Sequence, residues 1–354
     1  MSGAEAVIDL AAYRQNLDTV TSRIAPAALM AVVKADGYGH GLVPVAQAAV
    51  AQGVGWLGTL DVATGLVLRQ AGIGSDVRIF AWLLRADEDY RAAIDGDIDL
   101  GVSNLRQLRG IAASGARRPA TVHLKIDTGL HRYGATTEEW PGLIREAVAL
   151  QGAGVVTLHA AWTHLAEASD DEDSAAIGRF HSALAVADGL GARFALRHLA
   201  ASAAGFARPD ARLDLVRVGA FGYGISPGGG IAPADLGLVP VMTLVAPVVD
   251  VLARNGVRLA VVPIGLADGI PADAAGRISV AVDGIRRSVV SVGLNQLELD
   301  AADGEVRPGA EAVLFGTGER GEATLQEWAD LLGTIGEEIV VRLAPRIPRR
   351  YVGN

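Results

Sequence analysis

The run Leu29-Met-Ala-Val-Val33 leads into Lys34-Ala-Asp-Gly-Tyr-Gly-His-Gly41, then into the stretch Val43–Gln52 and a second apolar run, Trp56-Leu-Gly-Thr-Leu60. A short apolar run, a glycine-rich turn, a segment of helical length and another short run read as strand, helix and parallel strand. The alternation continues downstream. Candidate strands Val77–Trp82, Ile98–Val102, Ala120–Ile126, Val155–Thr163, Arg193–Ala200 and Leu213–Val218 bring the total to eight, with helical stretches such as Val62–Gln70, Leu105–Ala113, Trp140–Leu150 and Ala175–Leu190 between them. Eight strands in this register predict an α/β fold, an N-terminal (β/α)8 TIM-like barrel. After Pro227-Gly-Gly-Gly230 and a linker from Pro233 to Pro240, the texture changes to strand-like runs at Val241–Val251, Val257–Pro263, Ile278–Val282, Arg286–Val292 and Glu311–Phe315, with Asn-Gly, Asp-Gly and Pro-Gly turns and one helical stretch, Leu325–Leu332. The boundary expected from this change puts a barrel in residues 1–232 and a mostly β domain in residues 233–354, with residues 1–10 a candidate to pair with the second domain.

Composition narrows the function classes. A net charge of -9 without a basic stripe argues against nucleic acid as a partner, and the absence of cysteine excludes disulfides, thiolate metal sites and cysteine nucleophiles. The first ten residues carry Glu5 and Asp9 and no basic-then-apolar order, so no signal peptide is expected, and the apolar runs are too short to span a bilayer. A soluble, cytoplasmic protein is the expectation. Lysine usage is more telling: of 31 basic side chains only Lys34 and Lys125 are lysines. A lysine kept against such a bias points to chemistry that arginine cannot do, because only the ammonium readily loses a proton to become a nucleophile or base.

Several polar residues fall at the carboxyl ends of the expected strands, where a barrel builds its site: Lys34, Lys125 with Arg132, His164, Ser202 and Arg217. Singly, each has an ordinary reading. Ser202 suits a helix cap, and Arg217 suits a buried ion pair with Asp214. Their convergence is the argument for a site.

The motifs that hold these residues are Ala31-Val-Val-Lys-Ala-Asp-Gly-Tyr-Gly-His-Gly41, His123-Leu-Lys-Ile-Asp-Thr-Gly-Leu-His-Arg-Tyr-Gly134, Trp162-Thr-His-Leu165, His198-Leu-Ala-Ala-Ser-Ala-Ala204, Leu215-Val-Arg-Val-Gly219, Val262-Pro-Ile-Gly-Leu-Ala-Asp-Gly269 and Pro345-Arg-Ile-Pro-Arg-Arg-Tyr351. In that order they resemble the alanine racemase family of pyridoxal-phosphate enzymes, over essentially the whole chain. The resemblance implies that Lys34 holds pyridoxal 5'-phosphate and serves as one of two proton-transfer bases. It implies that Tyr38, Ser202, Gly219 and Ala220 surround the phosphate and that Arg217, with His164 behind it, faces the ring nitrogen. Lys125 would be carbamylated and orient Arg132 toward the substrate carboxylate. A homodimer is implied, each β domain covering the other barrel; pairing with a true racemase chain is an alternative.

The resemblance breaks on the side that the partner subunit supplies. The family's second base is a tyrosine in a Ser-Tyr-Gly loop, but here Val251-Leu-Ala-Arg-Asn-Gly-Val-Arg-Leu-Ala-Val261 runs through its place, and no tyrosine occurs between Tyr223 and Tyr351. Candidate replacements are carboxylates such as Asp268 or Asp273. The family's Gly-Tyr-Ala-Asp-Gly is Gly265-Leu-Ala-Asp-Gly269, and its substrate-binding Met-Asp aligns with Leu294-Asn295. Three outcomes stay open: a racemase (an isomerase) acting on alanine, a one-base enzyme working on a D-amino acid by transamination, elimination or aldol cleavage, and a cofactor-binding subunit without turnover.

Overall fold

The computed structural model describes residues 3–254 and 256–353. The chain divides into two compact units, Val20–Lys34 with Ala49–Gly219, and Met1–Thr19 with Ala35–Ala48 and Ala220–Asn354.

After strand β1 (Glu5–Asp9) and a helix at Leu10–Ile24, the barrel strands follow: β2 (Ala28–Val32), β3 (Trp56–Thr59), β4 (Arg78–Ala81), β5 (Ile98–Val102), β6 (Ala120–Lys125), β7 (Val156–Trp162), β8 (Leu196–His198) and β9 (Leu215–Val218). All eight pair in parallel in the order β8-β7-β6-β5-β4-β3-β2-β9. The ring closes between β8 and β9 through Asp214 N–H to the Arg197 carbonyl and Arg217 N–H to the Ala200 carbonyl, both 3.1 Å. Each expected strand is present, most a residue or two shorter at an end.

These runs become strands because a parallel sheet is covered on both faces and rewards near-continuous apolar sequence. Met30, Phe80, Trp162 and Leu215 meet in the barrel core, and Phe80 meets Trp162 edge-on at 5.3 Å. Close approach needs glycine at Gly101, where a Cβ would lie 2.7 Å from the Trp82 Cα. Between strands, several helices begin at side-chain caps. Asp61 accepts from Thr64 N–H, Asn104 from Gln107 N–H, and Ser169 from Glu172 N–H at the head of Asp170–Gly189, whose first turn holds four acids facing the positive end of the helix dipole.

The other unit is built on a nine-stranded sheet, order β11-β12-β15-β14-β13-β16-β10-β1-β17. Its members are β10 (Met242–Pro247), β11 (Asp250–Arg254), β12 (Val257–Val262), β13 (Ser279–Val282), β14 (Ile285–Val292), β15 (Leu297–Asp300), β16 (Glu311–Phe315) and β17 (Arg349–Val352). Strand β1 lies antiparallel to β10 and parallel to β17, so both chain ends enter one sheet. The run expected as one strand from Val241 to Val251 is two, because the chain changes partner after Pro247: β10 pairs with β16, whereas β11 pairs with β12. Strands β15 and β17 and a helix at Gly336–Val341 were not anticipated. The expected helix Leu325–Leu332 is present, opened by a Thr324/Glu327 capping box and closed by left-handed Gly333. Its Trp328 is fully buried against Phe315 at 5.3 Å.

No described helix is long and apolar enough to cross a membrane.

Candidate active site

The barrel unit gathers the sequence-nominated residues at the carboxyl ends of its strands. Lys34 follows β2, Lys125 ends β6, His164 lies two residues past β7, Ser202 opens the helix Ser202–Ala207 after β8, and Arg217 lies within β9. Arg217 is 4% exposed. Its Nη2 donates to the carbonyls of Thr163 (3.0 Å) and Leu199 (2.9 Å) and lies 2.9 Å from His164 Nδ1, while its Nη1 lies 2.9 Å from His198 Nδ1. The ion pair with Asp214 that its sequence neighbourhood suggested does not form; Asp214 instead binds Arg197 at 2.8 Å. Arg217 is therefore a buried cation held mostly by neutral acceptors. Burial lowers its pKa to about 9, opposed by the charge of Glu167.

Lys125 is buried as well. Its Nζ donates to the Arg132 carbonyl at 2.8 Å and sits 4.5 Å from the Trp162 ring centre. Burial, then the charges of Arg217 and Arg132, push its ammonium down to about 7. The side chain of Arg132 is exposed, and Lys125 touches its backbone, not its guanidinium. Burial first, then the charges of Arg217, Arg132, Lys125 and Lys34, depress the His164 imidazole far below its usual range, so it is neutral. Four cations thus bear on one small volume in a chain whose net charge is -9. That field suits an anionic ligand carrying phosphate and carboxylate groups. Ser202 does not cap its own helix; its Oγ accepts from Gly219 N–H at 3.0 Å, which leaves the hydroxyl proton to donate.

Two residues that sequence reasoning passed over hold this arrangement. His198, inside a quoted motif at the end of β8, receives Arg217, and Trp162 stacks on His198 with centroids 5.5 Å apart and planes 10° apart while its face lies beneath Lys125. Their place at strand ends beside Ser202 and His164 was the available signal.

The other nominated residues belong to the second unit. After Lys34 the backbone makes a left-handed turn, with Ala35, Asp36, Gly37 and Tyr38 all at φ between 52° and 59°. Such a turn costs non-glycine residues roughly 1–2 kcal/mol each. It is tied down by Asp36, whose carboxylate accepts from Leu42 N–H at 2.8 Å, and by Gly39, where a Cβ would strike the Val340 carbonyl at 2.4 Å. The turn sets Tyr38 against Tyr223, ring centres 4.9 Å apart. Ala220 begins a single turn, Ala220–Tyr223. Asn295 is exposed at the tip between β14 and β15, beside Leu294, which is 71% exposed.

The two carboxylates named as substitute bases differ in their surroundings, Asp268 being buried and Asp273 exposed. Asp268 is 1% exposed, accepting from Gly265 N–H (2.9 Å) and Arg346 (2.8 Å), and Asp273 pairs with Arg277 at 3.0 Å. Strands β11 and β12 pair with Arg254 opposite Val257, so Asn255 and Gly256 alone connect them. Asn255, in the expected Asn-Gly turn, lies outside the described residues.

Comparison with known proteins agrees with this geometry. Residues 8–227 match the alanine racemase N-terminal domain and residues 249–351 the alanine racemase C-terminal domain. The chain is 44% identical to an alanine racemase of Thermobifida fusca over 374 aligned positions, covering 99% of each, and 40% identical to one of Mycobacterium leprae, covering 98% of this chain and 95% of that one. Among solved structures it resembles the alanine racemase of Streptomyces coelicolor A3(2) with a TM-score of 0.96 at 40% identity, covering 100% of this chain and 99% of that one. For that of the D-cycloserine producer Streptomyces lavendulae the TM-score is 0.95 at 38% identity, with 100% and 98% covered. Matched along both domains and at both levels, the chain belongs to the alanine racemase family, whose cofactor is pyridoxal 5'-phosphate.

Proposed function

We propose that this protein is a pyridoxal-phosphate enzyme of the alanine racemase family that handles a small amino acid with one proton-transfer base, Lys34, and is a poor racemase of alanine. The observation that carries the reading is the two-residue connection between β11 and β12, in a domain with no tyrosine between Tyr223 and Tyr351. Alignment length supports it: 374 positions against the 354 residues of this chain leave at least twenty positions in the Thermobifida fusca relative without a counterpart here. Asp268 is buried and held by Gly265 N–H and Arg346, which disfavours it as a substitute.

In this reading the bound cofactor supplies an electron sink that acidifies the substrate α-proton. The chain supplies the rest. Lys34 takes and returns that proton on one face only. Arg132, oriented by a carbamylated Lys125, holds the substrate carboxylate; Tyr38, Ser202 and the backbone at Gly219 and Ala220 hold the phosphate; Asn295 is the counterpart of the family's substrate contact. Arg217 donates to the ring nitrogen. A guanidinium presents only N–H groups, so Arg217 would donate there and could not take up a proton. In the family the lysine serves the D-enantiomer, so D-amino acids are the expected preference.

Borohydride reduction of protein purified with its cofactor, followed by peptide mapping, tests whether Lys34 is the residue that holds the cofactor. Label on Lys34 is expected. Label on Lys125, or none on a cofactor-loaded protein, would contradict it.

A further inference from the structure

Beneath Arg217 the barrel core contains a continuous string of hydrogen bonds. Arg217 Nη1 lies 2.9 Å from His198 Nδ1, His198 Nε2 lies 3.1 Å from His123 Nδ1, and His123 Nε2 lies 3.2 Å from Asp99 Oδ2. Asp99 in turn takes Nη2 and Nε of Arg78 at 2.7–3.0 Å. His123 and His198 have no exposed surface, and Asp99 is 4% exposed. Two aromatic rings fix the imidazole planes: Phe80 stacks on His123 at 4.3 Å and Trp162 on His198.

The direction of the string can be read at its Arg217 end. A guanidinium has no acceptor, so His198 Nδ1 must be bare and its proton must sit on Nε2. His123 Nδ1 then has to accept, which places the His123 proton on Nε2, facing Asp99. Both rings are consequently neutral, each with one tautomer. Burial, which disfavours imidazolium, acts the same way on both. In a low-dielectric interior such aligned bonds polarise one another, so an anion at one end strengthens the acceptor at the other.

We propose that Asp99 is a positioning residue for Arg217: through His123 and His198 it sets the direction of this string and holds the guanidinium as a charged donor at the cofactor end of the barrel. The inference rests on reading Arg217 as the partner of the cofactor ring nitrogen. A metal site at the same place is disfavoured. Asp99, His123 and His159 bring ligand atoms within 4.8 Å of one another, but Arg78 already supplies the cation facing Asp99 at 2.7 Å.

The test is nitrogen NMR of holoenzyme labelled with 15N-histidine, the two rings being assigned by His123→Gln and His198→Gln. Both rings are expected to be neutral with the proton on Nε2 across the neutral pH range. A proton on Nδ1 of either ring, or on both nitrogens, overturns the proposal with no variant of Asp99 required. In Asp99→Asn the amide oxygen is expected to keep Arg78 and the amide N–H to face His123, which reverses the string, moves the His198 proton to Nδ1 and breaks the bond between His198 and Arg217 Nη1, because a guanidinium cannot accept. With it, kcat should fall about tenfold, the factor carried by one unit of donor pKa. A folded Asp99→Asn protein with the wild-type His198 tautomer overturns the proposal as well. Failure of the cofactor reading is separate, since it appears as missing label on Lys34 whatever the tautomers are.

Discussion

Lys125 carries the most specific expectation at the level of single residues. A carbamate forms on the neutral amine, and the Lys125 ammonium is lowered to about 7 by burial and two neighbouring guanidiniums. The modification should thus appear as pH rises through about 7 and be lost below it, seen as a carbamate carbon in 13C-bicarbonate NMR that vanishes in Lys125→Arg. Hydrogen bonds to charged groups contribute about 1.5–3 kcal/mol, so Lys125→Arg should raise KM for the amino acid roughly 10–100-fold. A wild-type protein without that carbon signal, or a variant with unchanged KM, would count against the role. Lysine scarcity made Lys34 and Lys125 legible from sequence, because arginine cannot replace either chemically. His198 and Asp99 were not legible in that way. Their roles depend on which side chains meet across β5, β6, β8 and β9, and a buried histidine in sequence reads like any other.

Among the elements, the eight barrel strands were readable because a parallel strand covered on both faces is a nearly unbroken apolar run. β15 and β17 were not. Leu297–Asp300 alternates apolar and acidic residues over only four positions, and Arg349–Val352 begins with two arginines, so each is a strand through pairing with β12, β14 or β1. The left-handed turn after Lys34 was also out of reach. Gly37, Gly39 and Gly41 hint at unusual backbone, but Ala35 and Asp36 adopt positive φ only because the surrounding contacts hold them there. Between β11 and β12 the pairing of Arg254 with Val257 leaves a connection of two residues.

For the molecule as a whole, exposed apolar surface and chemistry point the same way. Leu266 and Leu294 are 38% and 71% exposed on adjoining loops joined by Leu266 N–H to the Gly293 carbonyl and Ala267 N–H to the Leu294 carbonyl. Together with the family resemblance, this tip is the expected edge of a homodimer contact. Sedimentation equilibrium should give twice the chain mass at micromolar concentration, and a monodisperse monomer would count against the dimer. The proposed function leaves the substrate with one base, Lys34. Losing a positioned base typically costs about 10²–10⁴-fold in rate, so the two enantiomers should differ by about that factor in α-proton exchange. Deuterium exchange with solvent, followed by NMR for each enantiomer of alanine and of several larger amino acids separately, measures this directly. Fast exchange of the D-enantiomer, slow exchange of the L-enantiomer and slow net racemisation are expected; rapid, equal exchange of both with efficient interconversion would contradict the account, and no exchange with any amino acid would mark a cofactor-binding subunit without turnover.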